Sequence, residues 1–223
     1  MKAILENKSR LCVGLDPENV PSVFEFNQKI IDQTHDLVCA YKPNLAFYKT
    51  PDLLRTIEYI HQKTEVPVIL DAKYGDIGNT AKQYAKIAFE FFKADAVTIN
   101  PYMGFDTVKP FIDYKDKMVF ILCLTSNPSS ANFENEVFLK IAKKAVEWNV
   151  NNNIGIVVGA TKPEQLKEIE KITGDLPILI PGIGAQGGEI PPMKKNYIIN
   201  VARAIIYAEN PRQAAIDYSS KIS

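Results

Sequence analysis

Short apolar runs alternate with helical patterns along the whole sequence, and this alternation constrains the fold more than any other feature. Eight runs have the length and apolar character of buried strands. They are residues 11–15, 38–41, 66–70, 96–99, 118–124, 154–158, 177–180 and 197–201. Continuous apolar strands that alternate with helices indicate a parallel sheet whose two faces are both covered.

Helical patterns fill several of the segments between these runs. Apolar residues recur at spacings of three and four in the segments 24–34, 80–92, 137–148 and 163–172, as on one face of a helix. Asn210 followed by Pro211 predicts the N-cap and first residue of a last helix. Eight strand–helix units in 223 residues predict an α/β fold, a (β/α)8 TIM barrel that forms a single domain over residues 1–223. An open doubly wound sheet is the alternative.

Charge and composition argue against several classes of partner. The chain has 26 Lys and Arg against 26 Asp and Glu, so no bulk charge favours nucleic acid or a membrane surface. It has no apolar run of membrane-spanning length and no signal-peptide pattern, which predicts a cytoplasmic protein. Cys12, Cys39 and Cys123 are predicted to be buried free thiols, and His35 and His61 to be helix residues. No metal site is therefore expected.

Two charged residues follow the third apolar run directly. Asp71 and Lys73 are two positions apart, so on a strand their side chains point to the same face. Burying charges is costly unless they pair with each other or meet a charged ligand. An acid and an ammonium side by side at a strand end therefore indicate a functional pair.

Polar residues follow most of the other runs as well. In a (β/α)8 barrel the active site lies at the carboxyl ends of the strands. The residues found there include Asp16, Lys42, Asn44, Asp71, Lys73, Asn100, Thr125, Ser126, Thr161 and Arg203. Loops are commonly polar, but Asp16, Lys42 and Asp71 adjoin the apolar runs themselves. The pattern predicts one shared site at this end of the barrel.

The segment 182–188, which follows the seventh run, is rich in glycine. It is expected to leave backbone N–H groups free to surround an anion, and phosphate sites are common after the last two strands of this fold. Gln186 would add a donor and Arg203 a bidentate contact, whereas a surface loop without a ligand is the alternative. Thr125 and Ser126 carry hydroxyls suited to a ring with hydrogen-bonding edges, or they form a simple turn.

The pattern Asp71-Ala72-Lys73-x-x-Asp76-Ile77-Gly78-x-Thr80 resembles the signature of the orotidine 5'-phosphate decarboxylase family. Other motifs occur in the family's order along nearly the whole chain. They include Leu15-Asp16-Pro17, Lys42-Pro43-Asn44, Asn100-Pro101-Tyr102, Leu124-Thr125-Ser126-Asn127-Pro128, the glycine-rich segment 181–188 and Arg203-Ala204-Ile205. Tyr74 and Ala202 depart from the family pattern and are expected to affect loop packing and phosphate geometry.

The resemblance implies decarboxylation of orotidine 5'-monophosphate to uridine 5'-monophosphate in de novo pyrimidine biosynthesis. It implies no cofactor and no metal. It also implies a homodimer in which Asp76, Ile77 and Thr80 reach into the site of the other subunit. Orotidine 5'-monophosphate and a second copy of the chain are thus the expected partners, and neither nucleic acid nor a membrane is expected.

The same resemblance assigns roles within the site. Lys42, Asp71, Lys73 and Asp76 of the partner subunit form a charged array; Asp16, Lys42 and Thr80 of the partner subunit contact the ribose. Ser126 is expected to contact the amide edge of the pyrimidine, and Gln186 and Arg203 to hold the phosphate. Further substrate contacts are expected from Thr125, Pro181, Gly182 and Gly187.

Loss of carbon dioxide from the ring leaves a carbanion with no carbonyl positioned to delocalise it. Lys73 is expected to stabilise this charge and then to protonate the carbon. Two other functions stay open on the sequence alone. Sugar-phosphate enzymes of the same barrel family share the Asp-x-Lys-x-x-Asp core but usually require magnesium, and a catalytically silent nucleotide-binding barrel is the second alternative.

Overall fold

The computed structural model describes residues 9–184 and 187–222, which contain eight parallel strands. They are β1 Leu11–Leu15, β2 Ala40–Pro43, β3 Ile69–Tyr74, β4 Ala96–Ile99, β5 Met118–Leu124, β6 Ile154–Val158, β7 Ile178–Ile180 and β8 Tyr197–Val201. Neighbouring strands follow the order β2-β1-β8-β7-β6-β5-β4-β3. Parallel bridges from Tyr41 to Val68 and from Asn44 to Asp71 join β2 to β3 and close the barrel. The predicted (β/α)8 barrel is confirmed, and the open sheet is excluded.

Helices surround the barrel. They are α1 Val23–Thr34, α2 Thr50–Lys63, α3 Gly78–Lys86, α4 Phe105–Ile112, α5 Glu134–Trp148, α6 Pro163–Thr173, α7 Arg203–Ile206 and α8 Pro211–Lys221. A π-helical turn, Ile87–Phe91, continues α3, and short 3-10 helices occupy Leu45–Phe47 and Pro128–Asn132. The predicted cap of α8 is confirmed, because Asn210 Oδ1 accepts a hydrogen bond from the N–H of Gln213 at 3.0 Å.

Three helices were not among the predicted ones. The α2 helix carries a buried apolar stripe, Leu53, Ile57 and Ile60, whose spacing is that of a helix face. The α4 helix has eight residues and contains Pro110, and α7 has four residues. Segments this short have too few turns for a clear periodic pattern.

Two strands extend further than their apolar runs. β2 continues through Lys42, and β3 continues through Asp71 and Lys73 to Tyr74. The prediction placed these charged residues after the strands, since burial of charge is costly. Their mutual ion pairs offset that cost, so backbone pairing continues past the apolar residues.

Buried apolar side chains fill both the barrel interior and the layer beneath the helices. Ile69, Phe120, Leu179 and Ile198 form a cluster with Cys12 and Cys39 that is separate from the larger cluster. Such separate layers are expected when successive strand residues face opposite sides. The three cysteines are buried and free, as predicted.

Neither histidine lies near the carboxyl ends of the strands. His61 belongs to α2, and its Nε2 lies 2.9 Å from Asp95 Oδ2, immediately before β4 begins. His35 is the C-cap residue of α1. Among the described residues, no helix has both the length and the apolar character needed to cross a membrane.

Candidate active site

Asp71 stands at the centre of a network of charges at the carboxyl end of the barrel. Its Oδ2 accepts a hydrogen bond from Lys42 Nζ at 2.7 Å, and its Oδ1 accepts one from Lys73 Nζ at 2.7 Å. Thr98 also donates to Asp71 Oδ1, at 2.8 Å. The predicted pairing of Asp71 with Lys73 is confirmed. One carboxylate therefore fixes two ammonium groups that reach it from β2 and β3.

Burial and charge act in opposite directions on this network. Burial alone would raise the pKa of the Asp71 carboxyl, but Lys42 and Lys73 outweigh it and hold that pKa well below its usual range. Burial alone would lower the pKa of Lys42, but Asp71 and Asp16 outweigh it and raise that pKa. Asp71 and Lys42 therefore both stay ionised at neutral pH. Lys73 is the accessible member, with 46% of its side chain exposed against 5% for Lys42.

The backbone around Lys73 departs from regular strand geometry. Lys73 has a φ of +48°, in the left-handed region that side chains other than glycine rarely adopt. The pairing of β3 with β4 shifts register between Leu70 and Tyr74, and the N–H of Lys73 donates to Thr98 Oγ1 at 3.0 Å. Such strain persists only where the surroundings fix it, and it is concentrated at functional sites. Thr98 thus holds both the backbone of Lys73 and the carboxylate of Asp71.

A cavity of about 190 Å³ opens beside the charged network. Nine of the predicted site residues line it: Asp16, Lys42, Asp71, Lys73, Thr125, Ser126, Pro181, Gly182 and Arg203. Gly187 instead borders a separate groove beside α6. Side chains from the first, second, third, fifth, seventh and eighth strand ends thus meet around one space.

Asp16 contributes a carboxylate with an unused oxygen. Its Oδ1 is buried and has no hydrogen-bond partner among the described residues. Burial raises the pKa of Asp16, Lys42 lowers it, and the like charge of Asp71 raises it, with a net upward shift. A buried acceptor without a donor is costly, so Asp16 is suited to accept a hydrogen bond from a ligand hydroxyl.

The glycine-rich loop after β7 folds back on itself. The N–H of Gly187 donates to Gly184 O at 2.8 Å, that of Gly188 to Gly182 O at 3.1 Å, and that of Gly184 to Gly188 O at 3.4 Å. The expectation that the loop leaves its N–H groups free for an anion is therefore wrong for these three. Gly182 and Gly187 have φ values of +95° and +77°, which glycine adopts without strain. Gln186 lies outside the described residues.

Arg203 is the exposed cation at the eighth strand end. It begins α7, lines the cavity and makes no ion pair or hydrogen bond through its side chain within the described part of the chain. Ala202 packs against β1, where a Cβ built on Gly14 would lie 2.7 Å from Ala202 Cβ. The other departure, Tyr74, stacks on Tyr84 with ring centroids 4.5 Å apart. Neither of these two residues joins the ion pairs around Asp71.

The loop after β5 brings Ser126 to the cavity. Gly159 leaves room for it, since a Cβ on Gly159 would lie 2.6 Å from Ser126 Cα. Thr161 Oγ1 donates to Ser126 O at 2.8 Å. Thr125 also lines the cavity, but its hydroxyl lies 2.6 Å from Asn127 Oδ1 and 2.8 Å from Glu134 Oε1. The Thr125 hydroxyl is therefore engaged within the protein.

Asp76, Ile77 and Thr80 do not line the cavity of their own chain. Asp76 Oδ1 accepts from the N–H of Ile77 at 2.8 Å, Ile77 is 51% exposed, and Thr80 is exposed on α3. Tyr102 lies in the loop after β4 and is 90% exposed.

Several cavity residues were not assigned a role from the sequence. They are Thr98, Leu122, Val157, Leu179, Ile183 and Asn200. Thr98 and Asn200 interrupt otherwise apolar strands, and both are buried. A polar residue inside a buried strand is the signal that would have identified these two. The apolar residues carry no such signal, because they look like any core position.

Comparison with known proteins identifies the family to which this chain belongs. A family model described as Orotidine 5'-phosphate decarboxylase / HUMPS family matches residues 9–218. An orotidine 5'-phosphate decarboxylase from Cellvibrio japonicus is 45% identical over 240 residues, covering 93% of this chain and 88% of the relative.

Solved structures give the same result. The structure of Leishmania donovani OMP decarboxylase superposes with a TM-score of 0.89 at 37% identity, over 98% of this chain and 96% of that one. The structure of Leishmania donovani UMP synthase gives a TM-score of 0.93 at 38% identity, and the match spans 98% of this chain but 55% of that longer one.

Proposed function

The chain belongs to the orotidine 5'-phosphate decarboxylase / HUMPS family, and we propose that Lys73 carries out the reaction of this chain. That reaction is the decarboxylation of orotidine 5'-monophosphate to uridine 5'-monophosphate. The observation behind this proposal is the ammonium of Lys73, held 2.7 Å from Asp71 at the edge of the cavity. The reaction belongs to pyrimidine biosynthesis, and the enzyme is a carboxy-lyase.

The chemistry follows from the position of the charges. The bond between the ring carbon and the carboxylate breaks, carbon dioxide leaves, and the electron pair stays on the ring carbon. The Lys73 ammonium stabilises this carbanion and donates a proton to it, and solvent then restores the proton on Lys73. Asp71, itself held by Lys42, fixes the ammonium before the substrate binds, so little reorganisation is needed when the charge develops.

Asp16, Lys42 and Ser126 are proposed to orient the substrate. The unused carboxylate oxygen of Asp16 suits a ribose hydroxyl, and Lys42 lies beside it. Ser126 is proposed to bind the amide edge of the pyrimidine in a cavity that Pro181 and Gly182 also line. Thr125 is proposed to support substrate binding indirectly, because it precedes Ser126 in the same loop.

Arg203 is proposed to bind the substrate phosphate, together with Gln186. Replacing Arg203 with alanine is expected to lower kcat/KM for orotidine 5'-monophosphate about 10- to 100-fold, the value of a charged hydrogen bond. It should leave the slow turnover of the phosphate-free nucleoside orotidine unchanged. Arg212→Ala is the matched control, because Arg212 pairs with Asp36 on the surface. Equal losses with both substrates would contradict this role.

A homodimer is proposed to complete the site. Asp76, Ile77 and Thr80 are exposed or half-exposed in the single chain. Asp76 and Ile77 lie on the segment that links the catalytic strand β3 to α3, and Thr80 lies in the first turn of α3. Docking a second copy here would bury Ile77 and bring a further carboxylate towards the partner's charged array. The prediction of a cytoplasmic location is retained as part of the proposal.

The experiment that tests the activity is ultraviolet monitoring of orotidine 5'-monophosphate with the purified protein. Absorbance should change towards that of uridine 5'-monophosphate at the same rate with and without an excess of chelator. Loss of activity in chelator would favour the magnesium-dependent sugar-phosphate enzymes. Tight binding of uridine 5'-monophosphate without any turnover would favour a silent nucleotide-binding barrel.

A further inference from the structure

We propose that Glu134 is a positioning residue for base recognition, acting through the loop that carries Ser126. This loop, residues 125–127, follows β5, and Glu134 is the first residue of α5. The proposal rests on the proposed function, because it assumes that Ser126 binds the pyrimidine.

Both oxygens of the Glu134 carboxylate are directed at Thr125. Oε2 accepts from the N–H of Thr125 at 2.5 Å, and Oε1 accepts from its hydroxyl at 2.8 Å. The residue is only half-buried, yet it is held by two bonds to a single neighbour. Charged hydrogen bonds of this kind are stronger than neutral ones. Glu134 therefore fixes both the backbone and the side chain of the residue that precedes Ser126.

The other side of the loop is held by the sixth strand end. Thr161 Oγ1 donates to Ser126 O at 2.8 Å, and Gly159 allows the Ser126 backbone to approach more closely than any side chain would permit. Ser126 is thus held between a carboxylate on α5 and a hydroxyl after β6. A loop residue that contacts a ligand gains affinity when its geometry is fixed before binding.

Base recognition can be separated from phosphate recognition by choice of ligand. Uridine 5'-monophosphate carries both the base and the phosphate, whereas ribose 5-phosphate lacks the base. Glu134→Ala should weaken uridine 5'-monophosphate binding about tenfold, the value of a lost charged hydrogen bond. Its affinity for ribose 5-phosphate should stay within about twofold of the wild type, because that ligand makes no contact with the loop. With substrate, KM should rise more than kcat falls.

The conservative variant Glu134→Gln distinguishes positioning from loss of charge. The glutamine Oε1 can accept from the N–H of Thr125 while its Nε2 donates to the Thr125 hydroxyl, which then donates to Asn127. Glu134→Gln should therefore recover most of the affinity for uridine 5'-monophosphate. Glu136→Ala is the matched control for charge at the start of α5, because Glu136 is exposed and lies in the same first turn.

The outcomes separate this inference from the activity on which it rests. A wild type that binds uridine 5'-monophosphate no better than ribose 5-phosphate would overturn the proposed base site and this role together. A wild type that discriminates, with a Glu134→Ala variant that loses both ligands equally or neither, would overturn only the positioning role. If Glu134→Ala does not fold, Thr161→Val removes the bond to Ser126 from the other side and is expected to give the same selective loss.

Discussion

Replacing Lys73 with alanine is expected to lower kcat for orotidine 5'-monophosphate by at least about 10⁴-fold, since the protein loses both its proton donor and the charge that stabilises the carbanion. Affinity for uridine 5'-monophosphate should change little, because the product carries no negative charge at that carbon. A continuous ultraviolet absorbance assay measures kcat, and isothermal titration calorimetry measures the affinity for uridine 5'-monophosphate. Lys109→Ala is the matched control, because Lys109 forms an exposed ion pair with Asp113.

The same variant tests the dimer. Lys73→Ala and Asp76→Ala subunits are each expected to be inactive alone. If Asp76 acts in the other subunit's site, a mixed dimer has one site with both native residues. Random exchange of subunits should then restore about a quarter of the wild-type activity. A mixture that stays inactive although mass spectrometry shows mixed dimers would place Asp76 in the site of its own chain, and the shared-site proposal would be wrong.

Replacing Asp71 with asparagine is expected to damage both stability and turnover. The change takes from the buried ammonium of Lys42 the carboxylate that bonds it and leaves only the charge of Asp16 nearby. Removing one partner of a buried ion pair costs about 3–5 kcal/mol. Calorimetry should show a fall in Tm of at least roughly 6 °C for a chain of this size. The rate should fall about 10²- to 10³-fold, because Lys73 is no longer held in place. Asp113→Asn should cost no more than about 1 kcal/mol, since its ion pair is exposed.

The free energy of unfolding at low pH provides a check on the Asp71 variant. The pKa of Asp71 is lower in the folded protein than the value of about 3.9 expected for an unfolded chain. Its contribution is therefore present in full above that value and is lost as pH falls below it. The difference in free energy of unfolding between wild type and Asp71→Asn should shrink as pH is lowered from 6 towards 3. Asp16 has a raised pKa in the wild type, in part through the like charge of Asp71, so its contribution opposes that of Asp71 and makes this shrinkage smaller.

A difference that stays constant over this pH range would show that the Asp71 carboxylate contributes nothing through its charge. The destabilisation would then have to come from altered packing or hydrogen bonding at position 71. A normal rate in Asp71→Asn would separately remove Asp71 from the positioning of Lys73.

Most of the barrel follows from local patterns. Five strand bounds coincide with the apolar runs, among them Leu11–Leu15 and Met118–Leu124, because a strand buried on both faces must be apolar throughout. The apolar runs do not predict where β2 and β3 end, because these strands continue through Lys42 and Asp71. There, charges that would be costly alone become acceptable because each meets its partner on the neighbouring strand.

The sequence by itself determined the fold class, the buried thiols and the pairing of Asp71 with Lys73, since these depend on composition and on residues close along the chain. The family resemblance added Lys42 to that pair. Only the tertiary structure decided that Thr98 meets Asp71, that Glu134 anchors Thr125, and that the glycine-rich loop uses three of its own N–H groups. Barrel closure and strand register decide which distant side chains meet, and loop backbones bond to whichever acceptors the finished fold brings near. The periodicity of a single segment predicts neither which distant side chains meet nor which acceptors the loop N–H groups find.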